Sequence, residues 1–76
     1  MTIGDYVLHI PSIGHRFRYG SPCRVLEIRG AAATVAVAVR DVSGELVKRT
    51  VPKSSLVLAE GEDLERVLNQ FAKVEA

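Results

Sequence analysis

Ala32-Ala33-Thr34-Val35-Ala36-Val37-Ala38-Val39-Arg40-Asp41-Val42-Ser43-Gly44-Glu45-Leu46-Val47-Lys48-Arg49-Thr50-Val51-Pro52 is the stretch whose reading decides the fold. Val35, Val37 and Val39 alternate with Ala36, Ala38 and Arg40. A period of two marks a strand with one apolar face. A polar stop follows at Asp41 to Glu45, where Gly44 supplies the positive φ of a tight reversal. Val47 to Val51 then reads as the return strand, with Val47 and Val51 on one face and Lys48 and Thr50 on the other. Pro52 ends it, because proline has no N–H for the ladder. The centre of the chain is a twisted β-hairpin.

Outward from the hairpin, Tyr6-Val7-Leu8-His9-Ile10 reads as a first strand, broken by Pro11-Ser12-Ile13-Gly14. His15-Arg16-Phe17-Arg18-Tyr19-Gly20 is expected to be an exposed loop or a distorted edge strand. Cys23 to Arg29 is a second full strand whose apolar positions change phase between Val25 and Leu26, as at a β-bulge. Gly30-Ala31 turns the chain into the hairpin. After Pro52, Lys53-Ser54-Ser55-Leu56 suits one turn of 3₁₀ helix, and Val57-Leu58-Ala59 a short closing strand. Beyond Gly61, Asp63 is the expected N-cap of a helix reaching Val74. Leu64, Val67, Leu68 and Phe71 lie on one stripe of that helix. The expected fold is mainly β: a small five-stranded SH3-like barrel with a short C-terminal α-helix. Residues 1–60 form the barrel and residues 61–76 the helix of the same domain.

Seventy-six residues make one domain with a thin core. A single cysteine, Cys23, forbids an internal disulfide and fits a reducing compartment. The N-terminal residues lack a basic stretch followed by an apolar run, so no signal peptide is read. The longest apolar run, Ala31 to Val39, is interrupted by Thr34 and is far short of a membrane span. A cytoplasmic protein without a membrane partner is therefore expected. Net charge is only +1, but it is unevenly placed. Residues 1–58 carry eight basic against four acidic residues, whereas residues 59–76 carry two against five. A basic β part thus bears an acidic tail.

The residues also carry a family resemblance. Gly4-Asp5-Tyr6-Val7-Leu8-His9, Gly14 shortly after, and Val51-Pro52-Lys53-Ser54-Ser55-Leu56-Val57-Leu58 resemble the RNA-polymerase-interacting domain of transcription-repair coupling factors and its bacterial regulator relatives. The resemblance implies a Tudor-like, SH3-like barrel that docks on the polymerase β subunit by strand addition, hence a transcription-related role. It covers the two ends of the barrel and not its middle. Pro11-Ser12-Ile13-Gly14 stands where that family has a His-Gly-x-Gly-like turn, and the Ala/Val-rich third strand lacks the family's aromatics. The plasmid-type dihydrofolate reductase barrel has a comparable layout. Its Val-Gln-Ile-Tyr strand is absent, with Arg49-Thr50-Val51-Pro52 in the nearest place.

Catalytic chemistry finds little to use. His9, His15 and Cys23 match no zinc spacing and read as a strand histidine, a loop histidine and a small buried thiol. No glycine-rich phosphate loop precedes a helix. No cofactor is expected. The first functional reading is a non-enzymatic module that binds a protein partner. The second is nucleic-acid binding: Arg16 and Arg18 alternate with Phe17 and Tyr19, pairing phosphate contacts with base stacking, and Arg24, Lys48, Arg49 and Lys53 extend the basic surface. The third is an oligomeric small-molecule-binding protein or enzyme with a site between subunits. With 47% hydrophobic residues on so small a chain, the stripe Leu64, Val67, Leu68 and Phe71 needs cover, from its own barrel or from a second subunit. A homodimer through that stripe is the expectation.

Overall fold

The computed structural model describes residues 1–10 and 20–76. The elements are β1 (Tyr6–His9), β2 (Ser21–Arg29), β3 (Ala32–Arg40), β4 (Leu46–Pro52), a 3₁₀ turn (Lys53–Ser55), β5 (Leu56–Leu58) and α1 (Glu62–Glu75). The strands form one antiparallel sheet in the order β4-β3-β2-β1-β5. The protein is thus mainly β with a C-terminal helix.

The reversals follow from local chemistry. At the β3–β4 turn the Asp41 carboxylate accepts the N–H of Ser43 at 2.8 Å and of Glu45 at 3.2 Å. Those bonds hold the Asp41 carboxyl below its usual range, with the Ser43 hydroxyl as the largest contributor. Gly44 takes φ 87° there, a value that strains any side chain. The phase change in β2 is a register shift against β3 between Val25 and Glu27, as its apolar pattern predicted.

The strands bury more than one face. Val7, Cys23, Val25, Ala33, Val35, Val37, Val51 and Leu56 form one core cluster, on what we call the inner face. Val51 comes from one edge strand and Leu56 from the other, with only the 3₁₀ turn between them. The sheet therefore rolls about this cluster, although β4 and β5 share no ladder and the sheet is not closed. The opposite, outer face is buried too: Ala36 and Ala38 lie beneath the surface there. The single-faced reading of β3 is corrected accordingly. Val39, expected beside Val35 and Val37, is 44% exposed. The β3–β4 register shifts between Ala36 and Arg40, so the end of the strand leaves the inner core.

On the outer face lies α1. Its Val67 is 0% and Phe71 3% exposed, packed with Leu8, Ala38 and Ala59. Tyr6, Ile10, Leu46, Leu64 and Val74 ring that cluster. The small side chain of Ala38 lets the helix approach the sheet. The Gln70 side-chain amide donates to the Ala38 carbonyl at 3.2 Å. The Arg40 guanidinium donates to the carbonyls of both Val74 and Gly44, tying the last helical turn to the β3–β4 turn. Part of the stripe expected to form a dimer interface is thus covered within the chain. Val67 and Phe71 are spent on the sheet and Leu64 is half-buried, while Leu68 is 41% exposed. The helix also starts earlier than expected. Gly61, with φ 57°, is the N-cap and makes no side-chain cap bond. Asp63 lies inside the first turn with Glu62 and Glu65, where acidic groups suit the positive end of the helix dipole.

Candidate binding edge

The two ends of the strand order are β4 and β5. β5 has three residues, and the Leu56 N–H at its start already donates to the Lys53 carbonyl. β4 has seven residues, and among the described residues only its β3 side is paired. Which backbone groups it turns outward follows from the ladder. The Lys53 N–H donates to the Ala31 carbonyl at 2.8 Å. Antiparallel pairing alternates, so Val51 and Arg49 bond toward β3, whereas Pro52, Thr50 and Lys48 turn their backbone outward. Pro52 thereby sits where no N–H is missed. The Thr34 and Thr50 hydroxyls, 3.2 Å apart, form a side-chain pair at one of the non-hydrogen-bonded positions.

Side chains alternate on this edge. Lys48 opposes Ala36 and Thr50 opposes Thr34, so both project on the outer face. Arg49 opposes Val35 and projects on the inner face. All three are exposed. Among the described residues neither Lys48, Arg49 nor Lys53 takes part in an ion pair. Consecutive cations on an uncapped strand edge are a common guard against unwanted pairing.

The residues expected to share a basic surface are divided. Lys48 and Arg24 flank Ala36 in one cross-strand row of the outer face. Arg24 is turned to the helix, its guanidinium 5.8 Å from the centre of the Phe71 ring. Arg49 is on the other face, and Lys53 follows in the 3₁₀ turn. Arg16, Phe17, Arg18 and Tyr19 lie outside the described residues. Those that are described do not form one continuous basic patch.

Arg49 reaches the inner face near His9 and Cys23. Burial, then the Arg49 charge, lowers the pKa of His9 below 6.5. Burial pushes the Cys23 thiol up to about 11, against the opposing pulls of Arg49 and the His9 backbone N–H. A thiol so placed stays protonated at neutral pH and is a poor nucleophile. Among the described residues no three of His, Cys, Asp and Glu gather to hold a metal. No helix among them is long and apolar enough to cross a membrane.

Sequence reasoning missed a pocket beside the edge. It has a volume of about 90 Å³ and is lined by Arg29, Ala32, Ala33, Thr34 and Thr50. On the outer face its lining falls in two cross-strand rows, Thr50 beside Thr34 and Ala32 beside Arg29. Ala32 is the short member of its row, and its small side chain leaves the space. Only the register brings these residues together; the available signal was an alanine at a strand position flanked, across the sheet, by larger residues. Comparison of the chain with protein-family models, with curated proteins and with solved structures finds no match.

Proposed function

We propose that this protein is a non-enzymatic binding domain that takes a strand of a partner protein onto its β4 edge. The observation that carries the reading is the outward backbone of Lys48 and Thr50 on a strand that, among the described residues, is paired along one side only. Strand addition satisfies such groups with main-chain hydrogen bonds and leaves specificity to the side chains. The rolled sheet, its strand order and the 3₁₀ turn before β5 support an SH3-like barrel. With that fold, the resemblance at residues 4–9 and 51–58 implies RNA polymerase as the partner. A second copy of the chain is a poor occupant, because β4 against β4 brings Lys48 and Arg49 of each copy close together, and facing like charges destabilise a pair.

Thr50→Pro tests this. The substitution removes one outward N–H and leaves the β3 ladder its bonds. In a pull-down from bacterial lysate, the wild type should retain a polymerase subunit that Thr50→Pro loses. Equal retention by both proteins excludes the β4 edge. Retention of no polymerase subunit counts against that partner.

A further inference from the structure

We infer that the strand taken up by β4 carries two consecutive acidic residues, one opposite Arg49 and the next opposite Lys48. The inference rests on the strand-addition reading above and adds to it the chemistry of the partner. An antiparallel strand bonded to the outward groups of Lys48 and Thr50 makes hydrogen-bonded pairs at those two positions and a non-hydrogen-bonded pair at Arg49 between them. Residues directly opposite have Cβ atoms about 4.5–5.5 Å apart, so each side chain of the added strand first meets the β4 side chain opposite it. Pro52 marks where the paired stretch closes: it has no N–H, and its carbonyl already accepts the Ser55 hydroxyl at 2.6 Å. Lys48 and Arg49 therefore fall within the stretch that a partner strand covers.

Lys48 projects on the outer face and Arg49 on the inner, and both are exposed. Neither has an ion-pair partner among the described residues. Arg24 stands in the same outer row as Lys48, across Ala36, and adds a second positive charge there. A basic strand laid on this edge meets like charges on both faces, and a neutral one leaves both cations uncompensated. Acidic residues at alternate positions share one face, so they meet only one of the two cations. Adjacent acidic residues, one on each face, meet both. The cations that guard the free edge thereby select its occupant. Glu62, Asp63 and Glu65 of this chain lie in the first turn of α1 and offer no strand, so the acidic residues belong to a partner protein.

The test uses the blocked peptide Thr-Val-Thr-Glu-Glu-Thr-Val-Thr, whose sequence reads the same from either end, with amide exchange and chemical shifts of the protein followed by NMR. The peptide should slow exchange at Lys48 and Thr50. Replacing both glutamates by glutamine should weaken binding roughly two- to thirtyfold at low salt, the scale of two cross-strand ion pairs. That difference should shrink as salt rises. Separating the glutamates by one residue, as in Thr-Val-Glu-Thr-Glu-Val-Thr, should also weaken binding. Lys48→Glu combined with Arg49→Glu should reverse the preference in favour of a peptide with two lysines. Lys48→Gln combined with Arg49→Gln should abolish it, and is the milder variant if the first fails to fold. Peptides with glutamate and glutamine that bind equally, with both amides protected, overturn the charge inference and leave strand addition standing. No protection by any peptide overturns both. An oligo(dT) probe that shifts Lys48 and Thr50 when no peptide does makes the edge a nucleic-acid surface, and overturns both as well.

Discussion

Phe71→Ala should be the most damaging single truncation in α1. The ring is 3% exposed, sits 5.6 Å from the Tyr6 ring at an edge-on 62°, and lies under the Arg24 guanidinium at 5.8 Å. Truncating a buried phenylalanine to alanine costs about 3–5 kcal/mol, including the cavity it leaves. The aromatic pair adds about 0.5–1.5 kcal/mol of its own, though the terms overlap and do not simply sum. A chain of 76 residues has a total stability of about 4–11 kcal/mol at the usual per-residue scale. The variant should therefore lose about a quarter or more of its stability, and at the low end of that range it should be unfolded. Leu68→Ala, one turn away and 41% exposed, should cost less than about 1 kcal/mol. Urea denaturation followed by circular dichroism measures both. Repeating it across a hundredfold range of protein concentration asks where Phe71 is buried. A midpoint independent of concentration means burial in its own sheet, and one that falls on dilution means burial by a second subunit. Phe71→Ala within about 1 kcal/mol of the wild type, or a concentration-dependent midpoint, would refute the docking of α1 described above.

Two further outcomes follow from groups on the inner face. Cys23, fully buried with its pKa pushed up to about 11, should react with a disulfide reagent at pH 8 only after denaturant is added; prompt reaction in the native state would contradict its burial. Because His9 is held below 6.5 in the fold, the unfolded chain takes up its proton first as pH falls. The contribution of His9 is then fully present above pH 6.5 and is lost as pH falls through the window between 6.5 and the lowered folded value. His9→Gln should flatten that part of the stability profile, and Arg49→Ala should bring the imidazole titration seen by NMR closer to 6.5; an imidazole that titrates above 6.5 in the wild type would be the contrary result.

Much of the backbone was legible because its signals are local. The reversal at Gly44, the slip at Val25, the 3₁₀ turn after Pro52 and the stripe of Val67 and Phe71 each depend on a few neighbouring residues. What escaped depends on contacts far apart in the chain. Ala38 looks like a filler between valines until a helix is laid across it. Asp63 is a better capping residue than Gly61 by type, but the chain leaves β5 so close to α1 that Gly61 must turn it, and the helix starts at once. The site was legible in part. Lys48 and Arg49 were named as functional candidates, yet their projection from opposite faces of an edge is a matter of register. The pocket over Ala32 was invisible because Arg29 and Thr50, which line it, are 21 residues apart in the chain.

The Arg40 fork has a consequence for the order of events in folding. One of its bonds closes a loop of four residues, to Gly44, and the other spans 34 residues, to Val74. Short loops close first, since the entropic cost of closure grows with length. The hairpin therefore presents half of a prepared receptor for the helix end before the helix arrives. In reverse, thermal opening of α1 breaks the long bond and leaves the short one in place. The guanidinium then stays near the site where Val74 must return, so each excursion of the helix begins with its rebinding point already marked.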